Sequence, residues 1–327
     1  MARILVTGGA GYIGAHGCKA LRDAGHEPVV FDDFRTGWRQ AVRFGEGIEG
    51  DLLDPAALAA AFARVRPDAV MHFAALSNVG ESMRDPALYW RNNVAGSLNL
   101  LAAMRDAGVC AIVFSSTAAT YGEPDEDPIT EAAPQRPINP YGASKLAVEA
   151  MLADFERAHG IRSAIFRYFN VAGADEGREI GEHHVPETHL VPNILDAAAG
   201  AREAIVVNGT DYPTPDGTCI RDYVHVMDLV DAHVLAIDRL LAGGDSLRLN
   251  LGTGAGFSVA EVVAAAREAV GTEIPVEYGP RRPGDPARLV CDGSKAQAVL
   301  GWRPRRSEMR RMIADAWAWR QTGRFTA

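Results

Sequence analysis

Short apolar runs alternate with stretches of helical period through the first half of the chain. RILVT (3–7), EPVVF (27–31), DAVMHF (68–73) and CAIVFSS (110–116) are apolar with little interruption. Such runs suit strands covered on both faces of a parallel sheet. Between them, residues 12–24, 55–65 and 86–107 read as helices. IRSAIFRYFN (161–170) offers a further strand, after a helix that starts near Tyr141. This alternation predicts an α/β fold, a doubly wound parallel sheet with right-handed crossovers. The pattern changes past residue 172. NVAGADEGREIGEHHVPETHLVP is polar and rich in Gly, His and Glu, and shorter elements follow, separated by turns such as NGTDYPTPDGT (208–218) and GPRRPGDPA (279–287). The expected organisation is a main domain over 1–172, to which some later segments return, and a smaller mixed α/β lobe, mainly 173–327, that closes over a substrate.

Composition narrows the class. With 47% hydrophobic and 23% charged residues over 327 positions, the chain is an ordinary globular protein. A net charge of -9 argues against a partner as polyanionic as nucleic acid, though a few arginines can still grip one small anion. Cys18, Cys110, Cys219 and Cys291 form no CxxC pair. Buried reduced thiols are expected, with no disulfide framework and no metal. The N-terminus opens directly on a strand, without a basic region and a long apolar run, and no apolar run reaches the ~18 residues of a membrane span. A cytoplasmic protein without membrane partners is the expectation.

Three motifs carry chemistry. TGGAGYIG (7–14) spaces Gly8, Gly11 and Gly14 as G-x-x-G-x-x-G between an apolar strand and a helix. Glycine permits the tight turn, and the helix N-terminus offers free N–H groups to a pyrophosphate. That is the opening of a Rossmann-type dinucleotide site. Asp32 closes the second strand, where a carboxylate accepts hydrogen bonds from a ribose diol and repels a 2′-phosphate, favouring NAD over NADP. Asp33 competes for that role, and Asp51, in GDLLD, is placed to meet the adenine. The third motif joins FSSTAATYG (114–122) to NPYGASKLAVE (139–149). Ser115, Ser116 and Thr117 follow the fourth strand at its ligand-binding end. Tyr141 and Lys145, spaced i, i+4, share one helical face. A free phenol, with a pKa near ~10, is a poor base at neutral pH, and a neighbouring ammonium lowers that value.

TGGAGYIG, HFAA, NNVAGS, FSSTAATYG and YGASK resemble the extended short-chain dehydrogenase/reductases. RYFNVAGA, PETHLVP, DYPTPDGTCIRDYVHVMDL, NLGTG and RRPGDPARLV narrow the resemblance to the UDP-glucose 4-epimerases, over about residues 3 to 320. The resemblance implies a bound NAD met by Gly8, Gly11, Tyr12, Ile13 and Gly14 at the pyrophosphate. Asp32, Asp33 and Phe34 fall at the adenosine ribose, and Asp51 and Leu52 at the adenine. Phe73, Ala74, Ala75 and Leu76 run beside the cofactor, with Asn92, Ser115 and Tyr168 as further contacts. It also implies a UDP-sugar near Ser77, Phe169, Asn170, His189, Leu190, Asn208, Arg221, Tyr223, Arg282 and Asp285. Arg221 and Arg282 are the natural diphosphate partners, because guanidinium forks fit phosphate oxygens.

The implied reaction inverts C4′ through a 4-keto sugar. Tyr141 takes the O4′ proton, Thr117 holds the same oxygen, and Lys145 tunes Tyr141 and holds the nicotinamide ribose. Dehydratases of this resemblance carry Asp-Glu after the catalytic Thr; here Ala118 and Ala119 stand there. Three positions bear on substrate choice. Ser77 stands where many members have Lys, His189 where some have Asn, and Leu289 where a Tyr or small residue sets the room for an N-acetyl group. Other UDP-sugar 4-epimerases, acting on N-acetylglucosamine, xylose/arabinose or glucuronate, and a net NAD-dependent oxidoreductase, use the same motifs. A homodimer through the helices near 86–107 and 140–158 is also implied, and Leu98, Leu101, Met151 and Leu152 face either that interface or the chain's own core.

Overall fold

A computed structural model of the chain describes residues 1–281, 285–323 and 325. Arg282 therefore lies outside the described residues. Seven parallel strands build the main sheet: β1 (Arg3–Thr7), β2 (Glu27–Asp32), β3 (Glu46–Glu49), β4 (Ala69–His72), β5 (Ala111–Ser115), β6 (Arg162–Tyr168) and β10 (Leu247–Leu251). Their order is β10-β6-β5-β4-β1-β2-β3. The connections reverse direction between β1 and β4, which opens a crevice at the carboxyl ends of those strands.

The continuous apolar runs have a direct cause. Ile4 and Val6 of β1 and Val113 of β5 point to one hydrophobic cluster, whereas Leu5, Ile112 and Phe114 point to the other. Both faces are covered. Helices α1 (Tyr12–Asp23) and α8 (Val226–Leu241) bury Leu21, Leu229, Val230 and Ile237 on the first. Helices α2 (Pro55–Val65), α5 (Gly96–Ala107) and α6 (Pro140–His159) bury Leu58, Leu100 and Leu152 on the second. Local signals fix the helix ends. Asp54 caps α2 and Asn139 caps α6, each with proline at the first helical position, and α6 stops at Gly160 with φ 69°.

The stretch 86–107, expected as one helix, is three pieces. Pro86–Tyr89 is α4, following α3 (Val79–Arg84); Trp90–Ala95 is a π-helical turn; and α5 follows. The wide turn buries both Asn92 and Asn93, neighbours that a regular helix would point about 100° apart. Strand β3, signalled only by the position of Asp51, lies at the sheet edge.

The later chain divides its allegiance. Strand β10 and helix α8 join the main sheet. Helix α10 (Ser294–Leu300) packs on them through Ala296, and Ile180 and Trp302 join the same first cluster. Much of the remainder packs around a third cluster containing Val191, Ile194, Tyr223, Val262 and Ile313. This cluster unites α7 (Leu190–Ala198), α9 (Val259–Val270) and α11 (Met309–Arg320). Strands β7 (Asn170–Ala172) and β9 (Ile220–His225) pair in parallel, with Asn170 opposite Tyr223. β9 also pairs with β11 (Gly256–Ser258) and β13 (Arg288–Leu289), and β8 (Ile205–Asn208) with β12 (Val276–Gly279). Because β7 follows β6 after one residue, the lobe is tied to the main sheet at Phe169.

One open choice is settled and one expectation needs correction. Leu101 and Leu152 are fully buried in the chain's own core, so of the four interface candidates only Leu98 is exposed and Met151 partly so. Among the cysteines, Cys18, Cys219 and Cys291 are buried free thiols, but Cys110, expected to be buried, is exposed just before β5. Among the described residues no helix is long and apolar enough to cross a membrane.

Candidate active site

The glycine loop leaves β1 and turns at Gly8, whose φ is +73°. A Cβ there would sit 2.5 Å from the Ala74 backbone nitrogen, and one at Gly14 would sit 2.1 Å from the Gly8 carbonyl oxygen. Neither position has room for a side chain. Gly11 is the N-cap of α1 and brings no side chain to its first N–H groups. The helix therefore presents an open N-terminus at the sheet crevice, the environment an anion seeks.

Asp32 ends β2 beside this loop. Its Oδ2 accepts from the Ala10 N–H at 3.0 Å, and its Oδ1 from the Phe34 N–H at 2.8 Å. Burial raises its pKa, and those two amides draw it back down. Asp33 is held differently: its carboxylate accepts from the backbone N–H and the Nε of Arg35, at 2.9 and 2.6 Å. Arg35 reaches on to Asn92 Oδ1 at 2.9 Å and lies 3.9 Å from Asp51. The sequence reading missed Arg35. It stands where a guanidinium might have admitted a 2′-phosphate, yet it is committed to Asp33, Asp51 and Asn92. Phe34 adopts φ 58° and lies under the Arg39 guanidinium, 4.1 Å from the ring centroid. Leu52 packs against Gly96 at the start of α5.

The segment Phe73–Leu76 leaves β4. The Phe73 and Ala74 N–H groups both donate to the Thr7 carbonyl, at 2.9 and 3.1 Å. Asn93 then clamps Leu76 from both sides: Oδ1 accepts the Leu76 N–H at 2.9 Å, and Nδ2 donates to the Leu76 carbonyl at 3.0 Å. Asn93 Nδ2 also reaches Ser144 Oγ on α6 at 3.1 Å. It was not singled out in the sequence; its signal was the Asn-Asn pair in NNVAGS. Ser77 follows Leu76 and is exposed.

Thr117, Tyr141 and Lys145 come together where β5 ends. Lys145 Nζ donates to the Ser115 carbonyl at 2.8 Å and lies 4.9 Å from the Phe114 ring centroid. Ser115 Oγ hydrogen-bonds the Tyr168 hydroxyl at the end of β6. Burial brings the Lys145 ammonium down to about 7, against the pull of Glu149 one helical turn on. Burial raises the Tyr141 phenol above its ordinary value, and the group that draws it back is the Thr117 hydroxyl. In the protein alone burial sets the direction of the Tyr141 shift, and Lys145 is directed at the Ser115 carbonyl.

Beneath this set lies a buried polar network that the sequence did not reveal. Glu149 accepts from Ser116 Oγ at 2.5 Å, and from Arg167 Nε and Nη2 at 3.1 and 2.6 Å. Arg167 Nη1 donates to the Tyr121 hydroxyl at 3.0 Å, which donates to Asn250 on β10 at 2.7 Å. The helix carrying Tyr141 and Lys145 is thereby fastened to β5, β6 and β10.

The lobe carries most of the remaining residues. Asn170 and Tyr223 are paired across β7 and β9, and Tyr223 is buried. Arg221, on β9, forms an ion pair with Asp285. Phe169 and Leu289 both pack against the small cluster of Ala118, Tyr121, Ile129 and Ala133, directly after Thr117. Asn208 ends β8. His189 is the N-cap of α7 and provides no side-chain cap, and Leu190 begins the helix.

The model of the NAD dependent epimerase/dehydratase family matches residues 4–252. A UDP-glucose 4-epimerase of Rhizobium leguminosarum bv. trifolii is 52% identical over 316 residues, 97% of this chain and 96% of its own. The crystal structure of UDP-glucose 4-epimerase from Brucella ovis in complex with NAD superposes with a TM-score of 0.95 at 48% identity, over 97% of this chain and 98% of its own. The chain belongs to the UDP-glucose 4-epimerases. A further member, the enzyme from Bifidobacterium longum in complex with NAD+ and UDP, has a TM-score of 0.93 at 38% identity, over 98% of both chains. The residues that single out an epimerase within the wider family are local. Where a dehydratase would need an acid and a base, Ala118 and Ala119 form a short turn capped by Thr117.

Proposed function

We propose that the protein interconverts UDP-galactose and UDP-glucose through a 4-keto intermediate, with NAD retained. The observation that carries this reading is the Thr117–Tyr141–Lys145 set at the crevice, with Thr117 and Lys145 buried, Tyr141 partly so, and Ala118 and Ala119 where an elimination would need an acid and a base. The residues present fit NAD: a glycine loop whose crowded turns exclude side chains, an uncapped helix N-terminus, and an Asp32 carboxylate at the end of β2. Gly8, Gly11, Tyr12, Ile13 and Gly14 would hold the pyrophosphate. Asp32, Asp33 and Phe34 would hold the adenosine ribose, and Asp51 and Leu52 the adenine. Phe73–Leu76, Asn92, Ser115, Lys145 and Tyr168 would line the remainder. Bound NAD supplies a reversible hydride acceptor and, when oxidised, a positive charge that favours the Tyr141 phenolate.

The chain's own groups do the rest. Tyr141 removes the O4′ proton and later returns it, and Thr117 steadies that oxygen in both directions. Lys145, fixed on the Ser115 carbonyl, keeps positive potential near the phenol. Arg221 exchanges part of its pairing with Asp285 for the diphosphate, while Asp285, Asn208 and Tyr223 hold the uridine side. His189, Leu190, Phe169, Asn170 and Ser77 border the sugar and its phosphates. The nucleotide stays anchored in the lobe while the keto sugar turns and presents its other face.

Purified protein incubated with UDP-galactose and no added NAD is expected to form UDP-glucose, followed by chromatography. Conversion of UDP-N-acetylgalactosamine or UDP-arabinose alone would move the substrate. No conversion of any of them, even with NAD supplied, would sink the reading. The exposed Met83, Trp90 and Leu98 further suggest that the α3–α5 segment meets a second copy of the chain. We place the enzyme in the cytoplasm, where nucleotide sugars are exchanged between soluble enzymes.

A further inference from the structure

The loop that leads into α7 carries a group of four side chains of which only His189 has been given a role above, at the border of the substrate. Glu182, His184, Glu187 and His189 each direct one ligand atom to a common point, and these atoms lie within 4.8 Å of one another. The two carboxylates are the buried members, with side-chain exposures of 6% and 8%. His184 Nδ1 lies 3.5 Å from Glu182 Oε1 and 3.5 Å from Glu187 Oε2. His189 Nδ1 lies 2.7 Å from Glu182 Oε1 and 3.6 Å from Glu187 Oε1. We propose that these four residues form a binding site for a divalent first-row transition metal, with zinc as the best fit.

Three observations support the assignment. Ligands at 2.0–2.2 Å around a tetrahedral zinc stand roughly 3.3–3.6 Å apart, and both separations from His184 Nδ1, to Glu182 Oε1 and to Glu187 Oε2, are 3.5 Å. His184 Nδ1 is buried, and its nearest polar neighbours are these two carboxylate oxygens, each 3.5 Å away and beyond good hydrogen-bond length. Glu187 is already oriented from outside: its Oε1 accepts the Thr188 and His189 N–H groups at 2.8 and 2.9 Å, leaving Oε2 turned inward. Outer bonds of this kind are what fix a metal-binding carboxylate.

The donor set of two imidazoles and two carboxylates suits zinc and its neighbours better than calcium or magnesium, which take oxygen alone. Four protein ligands make a closed, structural site. The loop is held before any metal enters. Trp38 Nε1 donates to the His183 carbonyl at 2.8 Å, and the two rings stack 4.6 Å apart. Zinc with two carboxylates and two neutral imidazoles carries no net charge. It would therefore cancel two anions at the entrance to α7; that consequence for diphosphate binding, unlike the site itself, rests on the substrate reading above. In sequence the four residues form E-x-H-x-x-E-x-H, a spacing without cysteine.

The test uses full-length protein purified without a histidine tag, loaded with zinc sulfate and passed through gel filtration against a weak chelator. About one zinc per chain is expected by elemental analysis, with a raised thermal midpoint. His184→Gln and Glu187→Gln should weaken zinc retention by more than about 100-fold and remove the thermal shift, while the circular dichroism spectrum stays unchanged. A Cys110→Ser variant should retain the metal, and cobalt substitution should give tetrahedral d–d bands without a thiolate charge-transfer band. Sub-stoichiometric zinc in the native chain, or retention unaffected by either loop variant, would overturn the proposal. If a variant fails to fold, the cobalt spectrum of the native chain still decides between nitrogen/oxygen and thiolate ligation. None of these readouts depends on epimerase turnover.

Discussion

The pairing of Tyr141 with Lys145 was legible from their spacing together with the glycine loop and the Ser/Thr-rich strand end before it, but their surroundings were not. The i, i+4 pattern places both on one face of α6; it does not say that Lys145 would donate to the Ser115 carbonyl, or that burial would raise the phenol's pKa. Tyr141→Phe should lower kcat by about 10²–10⁴-fold, the usual worth of a positioned acid–base, while released NAD per chain stays at the wild-type level. Glu149 teaches the opposite lesson. In sequence it is one acid on a helix; in the fold it neutralises Arg167, which is buried to 3% exposure. Glu149→Gln keeps the hydrogen-bonding shape but removes the charge, leaving a guanidinium buried without its anion. A loss of about 3–5 kcal/mol in urea unfolding is expected, and a loss under 1 kcal/mol would mean that the pair contributes little. Asn93 escaped the reading for the same reason, as did the reach of Arg35 to Asn92: these partners are far away in sequence.

At the scale of elements, the strands and the glycine loop were readable because local rules suffice. A parallel sheet covered on both sides demands unbroken apolar runs, and a turn with φ +73° against the Ala74 backbone demands glycine. Gly8→Ala should therefore displace Phe73–Leu76 as well as its own loop. The expected result is protein purified with at least tenfold less NAD, measured by absorbance of the released cofactor; normal NAD content would show that the turn tolerates a methyl group. The π-helical turn at Trp90–Ala95 was not readable. Helical periodicity looks alike on either side of it, and its cause lies in the packing of Gly96 on Leu52 and the clamp of Asn93 on Leu76.

The whole molecule carries features that no single element displays. His16, His72 and His233 are buried in the layers around the sheet, and burial lowers their pKa values to about 3, 3 and 4. The unfolded chain takes up protons on these groups below about 6.5, while the folded chain does not. Stability should be full above that pH and fall steadily as it drops toward 4. His233→Phe should flatten the fall in the urea midpoint; an unchanged slope would assign acid sensitivity elsewhere. The exposed Trp90 and Leu98 predict a second whole-molecule property. Leu98→Glu with Trp90→Glu should convert a dimer to a monomer by light scattering, and a native chain that is already monomeric would remove the idea.

The return of β10 and α8 to the main sheet also constrains how the protein comes into being. When residues up to Tyr168 leave the ribosome, β6 still has an unpaired edge, and one face of the sheet lacks the helix that supplies Leu229, Val230 and Ile237. The missing pieces emerge only after roughly 80 further residues, a delay of about 4–16 s at ordinary elongation rates. Throughout that interval the nascent chain displays an open strand and an uncovered apolar surface. Ribosome-bound fragments ending near residue 200 should therefore depend on chaperones, whereas fragments ending beyond β10 should resist protease.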